Sequence, residues 1–170
     1  MAPVKCGMVA ALMEDIAPKS LAEDWDNVGL MVGNNGQEVK KIMVALDLPI
    51  WVLDEAIEKD VDMIVTHHPL IFSGIKKVNT DTSLGRKIIK LIEEGISVYS
   101  SHTNFDMAKD GLNDIFAKQL GLSEWEVLLP SHEEKLYKVV VYVPLGSEGK
   151  VMESLSKASG IIGNYSSCSF

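Results

Sequence analysis

The chain has 170 residues, of which 46% are hydrophobic, so it is long enough for a packed domain and too apolar for a disordered protein. Its 16 basic and 24 acidic side chains give a net charge of −8, which argues against indiscriminate binding to nucleic acid.

Cysteine content and hydropathy point to a compartment. Cys6 and Cys168 are isolated from each other in sequence, which is typical of buried thiols in a reducing environment. No apolar stretch approaches the roughly 20 residues of a membrane span, and the N-terminus lacks the layout of a secretory signal. We therefore expect a cytoplasmic protein that does not enter a membrane.

The first predicted elements are a helix and two strands. Apolar residues from Val4 to Met13 predict a helix that ends near Pro18. The apolar run Val28 to Val32 predicts a strand, and the sequence Gly33-Asn34-Asn35-Gly36 predicts a turn, because Gly and Asn tolerate positive φ. A second strand is expected at residues 41–46.

Helices and strands then alternate along the chain. The predicted elements are a helix opened by Pro49, a buried strand at 62–66, a helix capped by Asp81 or Thr82 and ended by Gly95, a strand at 96–100, and a helix at 113–120. Leu84, Ile88, Leu91 and Ile92 are expected to face inward from the helix that Gly95 ends. This alternation predicts an α/β fold, a three-layer α/β/α arrangement with a largely parallel sheet.

The character of the sequence changes after Gly121. A polar connector precedes the β-branched run Tyr137 to Val143 and an amphipathic helix at 148–159. One strand and one helix cannot bury both their faces alone, so these residues predict the start of a second, small α+β unit. The expected organisation is an α/β domain at 1–125, a connector at 126–134 and a partial α+β unit at 135–170, which the resemblance described below identifies as an inserted domain.

Metal-type side chains concentrate where two predicted strands end. His67 and His68 follow one strand, and His102 and Asp106 follow the next, so three of the four histidines lie in these two segments. Both segments correspond to the carboxyl ends of parallel strands, where ligands bind in α/β sheets.

The adjacent histidines suit two ions better than one. Neighbouring side chains of a strand point to opposite faces, so His67 and His68 share a site only if the strand has ended, which Pro69 favours. Two divergent imidazoles are better placed to serve one ion each at the roughly 3.5–4 Å spacing of two-metal sites. Asp106 could bridge such ions, although an aspartate taken by itself would more often cap a helix in the segment after it.

Several neighbouring residues have open roles. His102 could be a ligand, a proton shuttle or an orienting group. Asp47 is a possible fourth ligand or a turn cap, and Asn104 is expected to shape its turn. His132 lies in the polar connector and is expected to be solvated. A lysine pair, Lys76-Lys77, could meet a phosphate but is more typical of a solvated surface.

Three stretches together give a family resemblance. They are Ala22-Glu23-Asp24-Trp25-Asp26-Asn27-Val28-Gly29-Leu30, His67-His68-Pro69-Leu70-Ile71-Phe72 and Ser101-His102-Thr103-Asn104-Phe105-Asp106. In their order and spacing they resemble the NGG-one-interacting-factor-three-like family, the type 2 homologues of GTP cyclohydrolase I. Residues 163–170 resemble part of the small domain inserted into longer members.

The resemblance implies a dinuclear divalent-metal site to which His67, His68 and Asp106 belong, with Zn, Mn, Fe or Co as the ion. It also implies a toroidal homohexamer, and further ligands, a histidine and a glutamate near the C-terminus of longer members, that have no counterpart here.

Three functions follow as hypotheses. The first is a metal-dependent hydrolase that resembles GTP cyclohydrolase I type 2, acts on a nucleotide or phosphorylated small molecule, and uses His102 to move a proton. The second is a non-enzymatic metal-binding scaffold or partner-binding regulator. The third is a plain globular domain without metal.

Overall fold

A computed structural model of the chain describes residues 2–128, 140–158, 161–162 and 165–166, with side chains up to residue 155. Its internal contacts divide the chain into two units, Met1–Pro130 and Ser131–Phe170. The three-part division at residues 125 and 134 stays a prediction. None of the helices within the described ranges is long and apolar enough to cross a bilayer.

The first unit alternates helices and strands as the sequence predicts. Its elements are α1 (Cys6–Ile16), a 3-10 turn (Lys19–Leu21), β1 (Gly29–Val32), β2 (Ile42–Ala45), α2 (Ile50–Glu58), β3 (Met63–Thr66), α3 (Ser83–Glu93), β4 (Ser97–Ser100), α4 (Thr103–Met107) and α5 (Leu112–Gln119). The predicted α/β fold class with a mostly parallel sheet is confirmed.

One four-stranded sheet organises this unit, in the order β1-β4-β3-β2. β2, β3 and β4 run parallel, with Thr66 at the end of β3 opposite Ser100 at the end of β4. β1 pairs antiparallel with β4 and occupies one edge. The carboxyl ends of β3 and β4 therefore open at the same edge of the sheet, next to each other.

Helices cover the sheet from two sides because successive strand residues point to opposite faces. Ile64 of β3 belongs to the larger core cluster, with α2 and α3, whereas its neighbour Met63 packs with Tyr99 and α1. The larger cluster consists of Val32, Leu48, Val52, Leu53, Ala56, Val61, Ile64, Ile88, Leu91, Ile96 and Val98. Each large aliphatic side chain among them contributes about 1.5–3 kcal/mol by leaving water.

Helix ends follow the sequence signals. Thr82 caps α3, since its Oγ1 accepts a hydrogen bond from the Gly85 backbone N–H at 3.0 Å. Gly95 follows the end of α3 at a φ of 66°, as the sequence predicts. The prediction that Ile92 faces inward is wrong, because its side chain is 64% exposed. Ile88 and Leu91, one turn apart, carry the buried face instead.

The second unit contains α6 (Glu148–Ala158), β5 (Ile161–Ile162) and β6 (Tyr165–Ser166), and the two short strands pair antiparallel. The predicted helix at 148–159 is confirmed within one residue. The predicted strand at 137–143 lies partly outside the described residues, and residues 140–143 are not in a strand.

Gly33 fixes the exit from β1. It has a φ of 127°, and a Cβ at this position would lie 2.2 Å from the Ser97 Oγ. That hydroxyl donates a hydrogen bond to Gln37 Oε1 at 2.8 Å, so it is not free to move away. Only glycine fits this close approach of the turn to β4.

We expect Gly33→Ala to lower the free energy of unfolding by about 2 kcal/mol or more, because it combines a strained φ with a steric clash. Urea unfolding monitored by circular dichroism measures the change. Gly74→Ala is the matched control, since nothing lies within 4 Å of its added Cβ. Equal stability of the two variants would contradict the role given to Gly33.

Candidate metal centre

Two neighbouring strand ends deliver the predicted histidines to one place. β3 ends at Thr66, directly before His67 and His68, and β4 ends at Ser100, two residues before His102. The strand ends are joined by a hydrogen bond of 2.8 Å between the Thr66 and Ser100 hydroxyls, both buried. Because these strands are adjacent and parallel, the three imidazoles emerge on the same side of the sheet edge.

The imidazoles form a triangle. The ring centroids of His67 and His68 are 5.1 Å apart, those of His67 and His102 also 5.1 Å, and those of His68 and His102 5.6 Å. One ring nitrogen from each lies within 4.8 Å of the others, a grouping that could hold a metal ion. We call His67, His68 and His102 the histidine cluster.

Each ring of the histidine cluster has an oxygen at its Nδ1. The partners are the Ser101 carbonyl for His67 at 3.1 Å, Asp47 Oδ1 for His68 at 2.7 Å and Asp26 Oδ1 for His102 at 3.0 Å. A carbonyl or carboxylate oxygen only accepts, so Nδ1 must carry the proton. In the neutral imidazole this leaves the Nε2 lone pair of every ring available to a metal or a proton.

Asp106 lies beside the histidine cluster. Its Oδ1 is 3.8 Å from His67 Nε2, and its side chain is 34% exposed. The alternative role of capping a later helix is wrong, since Asp106 is inside α4, one turn after His102. The short α4 is not predicted from the sequence, and it is what turns this carboxylate back toward the strand ends.

Asp26 supports His102 through a carboxylate that is shielded from solvent, although the residue as a whole is half-buried. Its side chain has 0% exposure, and besides His102 it accepts hydrogen bonds from the Thr103 backbone N–H at 3.1 Å and the Thr103 hydroxyl at 2.5 Å. Burial raises the pKa of Asp26, but hydrogen bonds from Thr103, His102 and the Asn27 backbone N–H outweigh it and hold the pKa below its ordinary value. The group is therefore ionised next to His102.

Asn104 shapes the turn after β4, as predicted. It is fully buried, its Oδ1 accepts from the His102 backbone N–H at 2.9 Å, and its Nδ2 donates to the Ala17 carbonyl at 2.7 Å. These bonds tie the backbone of His102 to the end of α1, which fixes the direction in which the imidazole leaves the strand.

Two carboxylates that orient histidines were not assigned this role from the sequence. Asp47, considered as a ligand or a turn cap, instead accepts from His68. Asp26 belongs to the Trp25-Asp26-Asn27 segment, 76 residues before His102, so only its place in a recognised motif could have singled it out.

Other predicted residues lie elsewhere. Lys76 and Lys77 are both exposed in the loop after the histidine pair. A cavity of about 400 Å³ opens beside His68, lined also by Lys87, a half-buried residue whose Nζ donates to the Leu48 carbonyl at 2.9 Å. Cys6 is a buried free thiol, as predicted. Cys168 and His132 lie outside the described residues.

The donor chemistry of the site fits a divalent transition metal. Imidazole nitrogens suit Zn, Fe and Co, and a carboxylate oxygen extends the set to Mn. The oxygen acceptors at Nδ1 provide the hydrogen bonds that metal-bound histidines make with their other ring nitrogen. The residues present therefore fit such an ion without rearrangement of their tautomers.

Comparisons with known proteins agree on one family. A family model described as Duf34/NIF3 (NGG1p interacting factor 3) matches residues 4–168. The chain is 45% identical over 163 residues to the "GTP cyclohydrolase 1 type 2 homolog" of Bacillus subtilis, covering 95% of this chain and 44% of the relative. It is 51% identical over 122 residues to the homologue of Clostridium acetobutylicum, covering 72% of this chain and 46% of that protein.

Solved structures give the same result. The Bacillus cereus protein related to NIF3 superposes with a TM-score of 0.76 at 41% identity, over 100% of this chain and 47% of that one. Reduced HcgD from Methanocaldococcus jannaschii superposes with a TM-score of 0.66 at 38% identity, over 72% of this chain and 49% of that one. The chain thus spans less than half of the length of each of these relatives.

We expect Asp26→Asn to destabilise the chain by about 1–3 kcal/mol at pH 7, because charged hydrogen bonds in a buried site are lost. The folded-state pKa of Asp26 is lowered. Its contribution is therefore fully present above the unfolded value of about 3.9 and disappears as pH falls through the folded pKa. Urea unfolding at pH 7 and pH 3 measures both effects.

Asp24→Asn is the control, an exposed carboxylate in the same loop whose loss should change stability by less than about 0.5 kcal/mol. The gap between the wild type and Asp26→Asn should narrow toward pH 3. A gap that is constant across this range would show that the charge of Asp26 is not what stabilises the fold.

Proposed function

Because the chain belongs to the Duf34/NIF3 family, we propose that it binds a pair of divalent metal ions and acts as part of a metal-dependent hydrolase. The observation that supports this most strongly is the histidine cluster, in which one ring nitrogen of each histidine lies within 4.8 Å of the others while every Nδ1 has an oxygen acceptor, which leaves the Nε2 atoms as the available donors. Histidines that serve only to support the fold would not require ring nitrogens from three residues to lie so close together.

His67, His68 and Asp106 are the proposed metal-binding groups. The Nε2 atoms of the two histidines supply one nitrogen each, and Asp106, 3.8 Å from His67 Nε2, supplies carboxylate oxygens that can bridge. The ions are Zn, Mn, Fe or Co by donor type. Two ions with open positions need about five or six protein contacts, more than these three residues supply.

The remaining contacts are assigned by resemblance to the second half of longer family members. The curated relatives are more than twice as long as the matched region, which leaves room for them. We therefore propose the full activity for the site that is completed by these further ligands. The homohexamer implied by the resemblance stays a prediction.

His102 is the proposed proton-transfer group. The side chain of its partner Asp26 has no exposed surface, whereas the side chain of Asp47, the partner of His68, is 57% exposed. A buried, ionised carboxylate holds the imidazole in one tautomer and stabilises the imidazolium that forms when Nε2 accepts a proton. Bound divalent ions would lower the pKa of a coordinated water. His102 would then accept the proton of that water or return it to a leaving group.

The proposed substrate is a nucleotide or a phosphorylated small molecule. Relatives at 37–51% identity are named as GTP cyclohydrolase 1 type 2 homologues, which favours a nucleotide. The cavity beside His68 contains Lys87, whose partly buried ammonium group could meet a phosphate. Lys87 is therefore our candidate for phosphate binding, in place of the lysine pair Lys76 and Lys77 considered from the sequence.

A non-catalytic metal-binding scaffold is the second candidate. It is favoured by the small number of metal donors that the described residues bring together, since ions held between two protein segments can join them without performing chemistry. The tests below separate the two functions, because a scaffold loses stability with its metal and shows no turnover.

We expect purified, metal-loaded protein to contain up to two divalent ions per chain, and His68→Ala to lose at least half of that metal because one nitrogen donor is removed. Elemental analysis by mass spectrometry after dialysis measures the content. Lys77→Ala, an exposed residue of the following loop, should keep the wild-type content. Wild-type protein that holds no metal after loading would contradict the proposal.

We expect His102→Gln to keep its metal and to lose about a hundredfold or more in turnover, because proton transfer is removed while the ligands remain. The assay follows hydrolysis of a nucleotide and phosphoester panel with added Mn²⁺, Zn²⁺, Co²⁺ or Fe²⁺. Loss of metal in this variant would instead make His102 a ligand. No turnover by the wild type across the panel, with a lower melting temperature for His68→Ala, would support the scaffold.

A further inference from the structure

Two large aromatic rings stand beside the histidine cluster without being buried. Trp25 is 59% exposed and Phe72 is 52% exposed, and their centroids are 5.9 Å apart at an interplanar angle of 51°. Trp25 also meets the ring of His102 edge-on, with centroids 6.2 Å apart. Trp25 and Phe72, which we call the aromatic wall, therefore extend outward from the ring of His102.

Packing of the core does not explain this position. Neither ring belongs to the two core clusters of the described residues. More than half of the surface of each residue remains in water, so much of the stabilisation available from burying an aromatic side chain is not gained. An exposed aromatic pair next to a polar cluster is instead typical of a binding site.

The loop that carries Trp25 is held on both sides. Asp26 binds His102 and Thr103 from its buried position. Asn27 donates from Nδ2 to the Ile71 carbonyl at 2.5 Å, directly before Phe72. The hydrogen bonds thus connect the Trp25 loop both to the histidine cluster and to the loop of the second ring. The aromatic wall is pre-organised with respect to the cluster, which lowers the entropy cost of binding.

We infer that Trp25 and Phe72 form a stacking subsite for a planar aromatic ring of the substrate, so that the substrate class is an aryl or heteroaryl compound whose reacting group lies over the histidine cluster. The position of the reacting group over the histidine cluster rests on the proposed function, whereas the stacking of the planar ring does not. Trp25 meets His102 edge-on and not face to face, and 59% of the residue is exposed, so indole surface remains available for stacking with a planar ring.

The test compares two ligands that share a phosphate and a ribose and differ in a planar base, GMP and ribose 5-phosphate. Isothermal titration into the metal-loaded chain gives both dissociation constants. We expect GMP to bind about tenfold more tightly, and Trp25→Leu to remove most of this difference while leaving ribose 5-phosphate unchanged. Trp25→Phe keeps a π face and should keep most of the preference.

Phe72→Leu should reduce the preference as well, and Phe116→Leu is its matched control, since Phe116 is 51% exposed on α5. The inference is overturned if GMP binds no better than ribose 5-phosphate, if GMP does not bind at millimolar concentration, or if Trp25→Leu weakens both ligands equally. Metal content measured on the same samples separates this result from the proposed function. A Trp25-dependent preference for GMP in protein without metal would uphold the stacking subsite and reject the metal site.

Discussion

Hydrogen bonds at Nδ1 control what the histidine cluster can do. Each of the three rings donates a hydrogen bond from Nδ1 to an oxygen in a different part of the first unit. These oxygens lie in the turn after β4, the loop after β2 and the loop before β1. These contacts favour one tautomer for every ring and leave every Nε2 lone pair available to a metal or a proton. Without them, three imidazoles at this spacing would be polar side chains at a sheet edge. With them, the three rings offer one free nitrogen donor each within a small group.

The fold provides this arrangement at a modest energetic cost. Parallel pairing of β3 and β4 places two strand ends side by side, and Asn104 locks the turn after the second one. The one expensive element is Asp26, a carboxylate with no exposed side-chain surface, which Thr103, His102 and the Asn27 backbone compensate with hydrogen bonds. Because Asp26 accepts hydrogen bonds from Thr103 and the Asn27 backbone as well as from His102, one carboxylate both holds the loop before β1 and orients the imidazole.

Periodicity and turn residues predicted most of the fold, because β3 is a short apolar run, β4 is a short run around Val98 and Tyr99, and Thr82 and Gly95 are strong helix-end signals. The positions of the three histidines at strand ends followed from the same pattern. The two orienting carboxylates did not, since the pairing of Asp26 with His102 depends on a loop that crosses from one edge of the sheet. α4 was missed because five residues after a strand carry too little pattern to distinguish a helix from a turn.

The tautomer of each imidazole is the most direct test of this account. Long-range ¹H–¹⁵N NMR correlation of the metal-free chain at pH 8 distinguishes a protonated Nδ1 from a protonated Nε2, and a zinc titration shows which nitrogen responds. The account predicts that His67, His68 and His102 all carry their proton on Nδ1 and that zinc shifts the Nε2 resonances of His67 and His68. Rings protonated on Nε2, or Nε2 resonances that do not respond to zinc, would contradict it.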